Sequence, residues 1–167
     1  MRLARRAGVS GYDRDKALAY ARAWALGRNP AYLDFHGLGG DCTNFVSQCL
    51  YAGGGVMNVE KGLNWFYFSA RNRTASWTGV EYLYTFLVNN KRTGPYAREA
   101  EPGEMEIGDV VQLALIGRRF SHAALVVALE GGEIYVAAHS ADAWMRPLAT
   151  YAQPRRRFLH IESVRSK

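Results

Sequence analysis

Cysteine is scarce in this 167-residue chain: there are two, Cys42 and Cys49, seven residues apart. On one helix their Cα atoms would stand about 10 Å apart at 1.5 Å per residue, and a disulfide needs less than about 7 Å. No intramolecular structural disulfide is expected, which fits a reducing compartment or a secreted enzyme that keeps a free thiol. CxxC, HxxxH and every other close ligand pair are missing. A zinc site built from Cys42, His122 and His139 is conceivable, but with no such pair neither a metal nor a cofactor is expected. Long apolar runs are also missing. The longest, Ala123 to Leu129, is too short to cross a bilayer. The opening MRLARRAGVSGYDRDK is charged and has no apolar stretch of signal-peptide length, so the chain is expected to be cytoplasmic as synthesised. No repeat, low-complexity tract or nucleic-acid motif occurs, and nucleic acid is not an expected partner.

What is present suits one domain with a single core. Apolar residues make up 49% of the chain and aromatic residues 13%, with 10 Tyr and 4 Trp. The formal charge is +6; basic residues gather at Arg2, Arg5 and Arg6, at Arg118-Arg119 and at Arg155-Arg156-Arg157. They read as solvated faces or as a surface for an anionic partner. Residues 1–11 form a basic N-terminal arm, and residues 12–163 form the domain, expected as a monomer.

Periodicity places helices first. Asp13 to Leu26 reads as a helix with Asp13 as its cap. A second runs from Asp41 to Gly53, and a third from Thr78 or Gly79 to Asn89-Asn90. Gly54 to Trp77 reads as a long irregular stretch, a length that in a compact domain points to function. Its aromatic residues Trp65, Tyr67 and Trp77 are candidates for a substrate groove. Lys91 to Glu106 is polar. Strands follow at Asp109–Leu115, His122–Leu129, Glu133–Ala138 and Phe158–Ile161, with a hairpin at Gly131-Gly132. Helices before strands indicate an α+β class, N-terminal helices packed on a C-terminal antiparallel β-sheet.

Chemistry concentrates in GGDCTNFVSQCLYAGG, from Gly39 to Gly54. A thiol at the first turn of a helix meets unpaired N–H groups and the positive end of the helix dipole. Both favour the thiolate, so Cys42 is the candidate nucleophile; Cys49 reads as a buried small hydrophobe. A thiol nucleophile needs a base. His122 opens one strand and His139 ends the next, so the hairpin should bring them close. One imidazole could bond the sulfur and the other could orient the first. Asp142, in the turn HSAD, is a rival for the third role or a simple turn-former. Asp41 is expected as the helix cap, lining the site rather than acting as an acid. The Cys42 amide is one oxyanion donor, and Tyr32 is a candidate for the second. His36 is assigned to a loop surface, and His160 is given no role.

These residues resemble a known group. A loop Tyr followed by GGDCTNF resembles the nucleophile region of NlpC-type cysteine peptidases of bacterial cell walls, with Thr43-Asn44-Phe45 in place of Ser-Gly-Phe. IGDVVQL (Ile107 to Leu113) is similar to that group's Pro-Gly-Asp strand entry, and Ser121-His122 with its apolar strand to its His-Val-Gly-Ile strand. The resemblance is closer to the bacterial putative amidase domain, a branch of the papain-like superfamily. YDRDKALAYARAWALGRNPAYLDF, GGDCTNFVSQCLYAGG, SWTGVEYLY and IYVAAHSAD…RPL carry it, from about Tyr12 to Ile161.

The resemblance implies a papain-like (NlpC-like) fold, with Cys42 as nucleophile, His122 as base and His139 orienting the base. It implies hydrolysis of an amide in peptidoglycan or a muropeptide, in the stem peptide or at muramoyl-L-alanine, through a Cys42 thioester. An acyltransferase or transpeptidase on the same scaffold is an alternative, as is a non-catalytic wall- or peptide-binding module. Action on the wall would require release by lysis or non-standard export.

Overall fold

The computed structural model describes residues 11–152 and 155–167; of the basic arm at residues 1–11, all but Gly11 lies outside them. Helix α1 spans Arg14–Trp24, and its N-cap Asp13 accepts a hydrogen bond from the Lys16 amide at 3.0 Å. Helix α2 spans Cys42–Gly54. Its residues from Cys42 to Leu50 are all buried, so it is a central helix rather than an amphipathic surface one. Gly53 is required by packing, because a Cβ there would meet Tyr12 at 2.4 Å and the Asp13 carbonyl at 2.8 Å.

The polar residues of α2 are satisfied by the elements around it. Trp65 Nε1 donates to Ser47 Oγ, and Ser47 Oγ donates to the Trp77 carbonyl. Trp77 Nε1 donates to Asn44 Oδ1, and the Tyr20 hydroxyl to Gln48 Oε1. Buried polar groups need such partners, and these bonds lock the two tryptophans against the helix.

Between α2 and the next helices lies a small antiparallel pair, β1 (Tyr67–Ser69) and β2 (Asn72–Arg73). Helices α3 (Ala75–Thr78) and α4 (Val80–Asn89) follow. The groove expected from Trp65, Tyr67 and Trp77 is not there. Trp65 and Trp77 are fully buried and Tyr67 nearly so; they stack with Tyr32 and Phe86 into the core. An irregular backbone can still bury its rings when they pack on one another, and that is how this stretch is used.

One six-stranded antiparallel sheet carries the rest, in the order β3-β8-β4-β5-β6-β7. Its strands are β3 (Gly94–Ala100), β4 (Val110–Ala114), β5 (His122–Glu130), β6 (Glu133–Ala138), β7 (Ala143–Pro147) and β8 (Arg155–Arg165). The segment read as merely polar, Lys91 to Glu106, contributes edge strand β3, whose outward charges suit an edge. β8 is longer than Phe158–Ile161 because it pairs with both β3 and β4. The α+β class holds, with α1, α2 and α4 packed on one face of the sheet.

Side chains alternate across that sheet. Ala123, Leu125 and Val127 of β5 join the core beneath the helices, with Phe45, Val46 and Cys49. Ala124 and Val126 join a second, smaller core on the reverse face, with Val111, Val136, Ala138 and Tyr151. No helix of the described residues is long and apolar enough to cross a membrane.

Candidate active site

Cys42 is the first residue of α2. The preceding Asp41 has the N-cap position, but its side chain makes no cap bond. The expectation of a capping Asp41 is therefore corrected: its carboxylate turns inward and leaves the first-turn amides without a side-chain cap. Cys42 Sγ stands 3.9 Å from Thr43 Oγ1 and 4.0 Å from the Ser121 carbonyl. The Ala123 amide donates to it as well. Ser121 and Ala123 bracket His122, so the sulfur lies against the backbone of that histidine.

Burial pushes the Cys42 thiol above its ordinary pKa, and the amides of Ala123, Thr43 and Cys42 only partly offset this. The expected helix-start thiolate is thus overridden by desolvation, which disfavours the charged form. The sulfur opens on a pocket of about 300 Å³ lined by Gly40, Gly79, Glu81, Tyr82, Arg119 and Ser121. Cys49 is fully buried, with its thiol pKa pushed up by burial.

The two histidines lie on opposite faces of the sheet. His139 is on the helix face, stacked on Phe45 with ring centroids 4.2 Å apart. Its Nδ1 is 2.5 Å from Asp41 Oδ2, and its Nε2 is 2.8 Å from the Trp24 carbonyl. A carboxylate and a carbonyl therefore engage both ring nitrogens and fix the ring in place. His122 points to the reverse face, 5.6 Å from the Tyr151 ring. Its Nε2 is buried without a hydrogen-bond partner. Burial, and next the charge of Arg146, pull its pKa from 6.5 down to about 4.

The expected His122–His139 pair is therefore corrected. Neighbouring strands place their backbones side by side, but alternation sends the rings apart. Cys42, His122 and His139 do not converge on a metal position, and the described residues contain no group of three candidate ligands.

Asp142 does not reach a histidine either. It grips Arg28 through two bonds of 2.9 and 3.0 Å. Arg28 Nε in turn lies 3.1 Å from Asp34 and 3.6 Å from Asp41. Between His139 and Asp142, Ser140 and Ala141 take left-handed φ of 60° and 78°. That bend, costly for residues with a Cβ, lets Ser140 Oγ accept from the Asp41 amide at 2.8 Å. Tyr32 packs on Tyr67 and Trp77 and does not line the Cys42 pocket, so it is no oxyanion donor here.

Asp41 is the hub of the site. Its Oδ1 accepts from the Phe35 amide and from Asn44 Nδ2, and its Oδ2 faces His139 and Arg28. Arg28, Ser140 and the Trp24 carbonyl have no signal in the sequence. Arg28 sits in an ordinary turn, and the others act through backbone geometry. His160, given no role, bonds the buried Asp109 at 2.9 Å. Asp109 also takes Arg14 and the Ile161 amide, which joins α1 to the sheet.

The family described as "Putative amidase domain" matches residues 11–161. The Bacillus subtilis (strain 168) "Uncharacterized protein YhbB" is 36% identical over 139 residues, which are 81% of this chain and 43% of that protein. The chain thus spans less than half the length of this curated relative. No solved structure matches it.

Proposed function

Because the chain belongs to the putative amidase domain family, we propose that it hydrolyses amide bonds with Cys42 as nucleophile, on a papain-like (NlpC-like) scaffold. The observation that carries this reading is the seat of the sulfur. It stands at the open start of a central helix, on a pocket, against the peptides that flank His122.

His122 is the base on this reading. His139 has both nitrogens engaged, by Asp41 and by the Trp24 carbonyl, and neither faces the sulfur. His122 keeps an unpartnered Nε2, and on this reading its ring leaves Tyr151 and the start of its strand shifts with it to bring that nitrogen to the sulfur. The thiolate adds to the carbonyl carbon, and the first-turn amides of α2, which no side chain caps, receive the oxyanion. His122 then gives its proton to the departing amine, and water releases the acyl group from the thioester. His139 positions Asp41, and through it the start of α2.

The substrate proposed is bacterial peptidoglycan, cleaved in the stem peptide or at muramoyl-L-alanine. That choice rests on the likeness of GGDCTNF and of the Ser121-His122 strand to the cell-wall cysteine peptidases. A second reading, a wall- or peptide-binding module without turnover, is favoured by the burial that raises the Cys42 thiol pKa and, among the described residues, by the absence of an imidazole bonded to the sulfur. Digestion of purified peptidoglycan separates the two. Hydrolysis gives a new muramic carboxyl or stem-peptide amine with the parent protein and none with Cys42→Ala. The binding module gives retention on the polymer and no new termini.

A further inference from the structure

We infer that Arg119 makes the Cys42 pocket a carboxylate-recognition site, so that the ligand it takes carries a carboxylate next to the amide presented to Cys42. This deepens the hydrolase reading and rests on it for the word amide. The charge balance of the pocket is what carries it.

Two charged side chains line the pocket, Glu81 and Arg119. Glu81 is already compensated: Arg157 Nη2 donates to it at 3.0 Å, and Arg157 is only 11% exposed. Arg157 is fixed further by Gln112, whose amide nitrogen donates to the Val80 carbonyl at the pocket wall. Arg119 is different. Among the described residues it has no ion pair and no hydrogen bond, although it lines the pocket on which the sulfur opens. One uncompensated, solvent-exposed arginine therefore stands at the rim of that pocket. It sits two residues before the Ser121 carbonyl that touches Cys42.

The surroundings extend the same sign. Phe120 is shared with a neighbouring cavity of about 680 Å³. Arg155 and Arg157 lie over that ring at 5.0 and 4.0 Å. The acidic groups of the second cavity include Glu99, which accepts from Tyr84, and Glu104, which is paired with Arg98. A guanidinium fork matches a carboxylate through two parallel hydrogen bonds, which makes a carboxylate the anion of choice.

Alkylation of Cys42 tests this without any amide turnover, since the thiolate simply displaces iodide. Rates with iodoacetate and iodoacetamide are measured by peptide mapping at Cys42, and their ratio is referred to that of N-acetylcysteine. The parent protein should favour iodoacetate roughly three- to tenfold more than N-acetylcysteine does, the scale of one nearby charge at surface dielectric. Arg119→Gln should lose that preference, and added salt should erode it. Arg119 has no partner to lose, so the variant should fold as the parent does.

A parent ratio equal to that of N-acetylcysteine, or one unchanged in Arg119→Gln, overturns the inference. A Cys42 that neither reagent reaches overturns both the inference and the nucleophile. Anion preference in a protein that cleaves no amide sinks the hydrolase reading and leaves the carboxylate site standing.

Discussion

Asp41 and His139 form a buried carboxylate–imidazole pair immediately behind the candidate nucleophile, with 2.5 Å between Oδ2 and Nδ1 and both side chains at most 2% exposed. The pair ties the end of β6 to the start of α2, and the Trp24 carbonyl adds the end of α1. Removing His139 leaves the buried Asp41 Oδ2 with Arg28 at 3.6 Å as its remaining charge partner, and opens a cavity beside Phe45. His139→Ala should therefore lower unfolding free energy by about 3–5 kcal/mol, read as a shifted midpoint in urea. It should lower turnover less than His122→Ala does, once both are compared at a temperature where they are folded. The reverse order would exchange their roles.

The pH dependence of stability reports His122. Its folded pKa, about 4, lies below the ordinary 6.5 because the ring is buried neutral beside Arg146. The unfolded chain binds the proton first as pH falls, so stability is complete above pH 6.5 and declines towards pH 4. The loss at the low end should be about 3 kcal/mol. His122→Gln should flatten that interval, as measured by urea midpoints at several pH values. An unchanged slope in the variant would assign the acid sensitivity elsewhere.

Much of this architecture is legible in the residues themselves. The α1 cap at Asp13, the helix at GGDCTNFVSQ, the hairpin at Gly131-Gly132 and the α+β order all follow from local pattern and turn chemistry. β3 and β7 do not, because edge strands such as YAREA and AWMRP carry charges and lack the apolar run of a central strand. Cys42 and His122 are readable as types in a pattern. Which face each imidazole takes depends on strand alternation counted from the hairpin, and a bulge between Val126 and Ala128 resets that count. The polar letters of the nucleophile motif also mislead. Asn44, Ser47 and Gln48 look like site residues and instead satisfy Trp77, Trp65 and Tyr20.

Trp77 tests whether the aromatic stretch is core or groove. It is fully buried and bonded to Asn44. Trp77→Ala should cost about 3–5 kcal/mol through the cavity and the orphaned amide. A groove residue would instead leave stability intact and change only ligand binding, as differential scanning calorimetry alongside polymer binding would reveal.

The bend after His139 offers a stabilising change. Ala141 holds φ at 78°, where a Cβ costs about 1–2 kcal/mol and glycine costs little beyond its chain entropy. Ala141→Gly should gain about 0.5–1 kcal/mol and leave turnover unchanged, because Ser140 keeps its bond to the Asp41 amide. A loss of stability would mean that the bend is not strained in solution.

Cys42 and Cys49 should differ sharply towards a neutral alkylating reagent. The Cys42 sulfur opens on a pocket, and Cys49 has none. With burial holding the Cys42 thiol above its usual range, iodoacetamide should label it slowly at pH 7 and faster as pH rises, while Cys49 stays unlabelled until the chain unfolds. Labelling of Cys49 first would misplace the nucleophile.

Capture of the acyl-enzyme tests the account at its centre. Muropeptides are mixed with the protein, the reaction is quenched in acid, and the peptide holding Cys42 is weighed. The account predicts a thioester mass on Cys42 in the parent, absent from Cys42→Ala, whose amide hydrolysis falls by at least about a thousandfold. Amide hydrolysis that persists in Cys42→Ala, with no acyl group ever found on that sulfur, would contradict it.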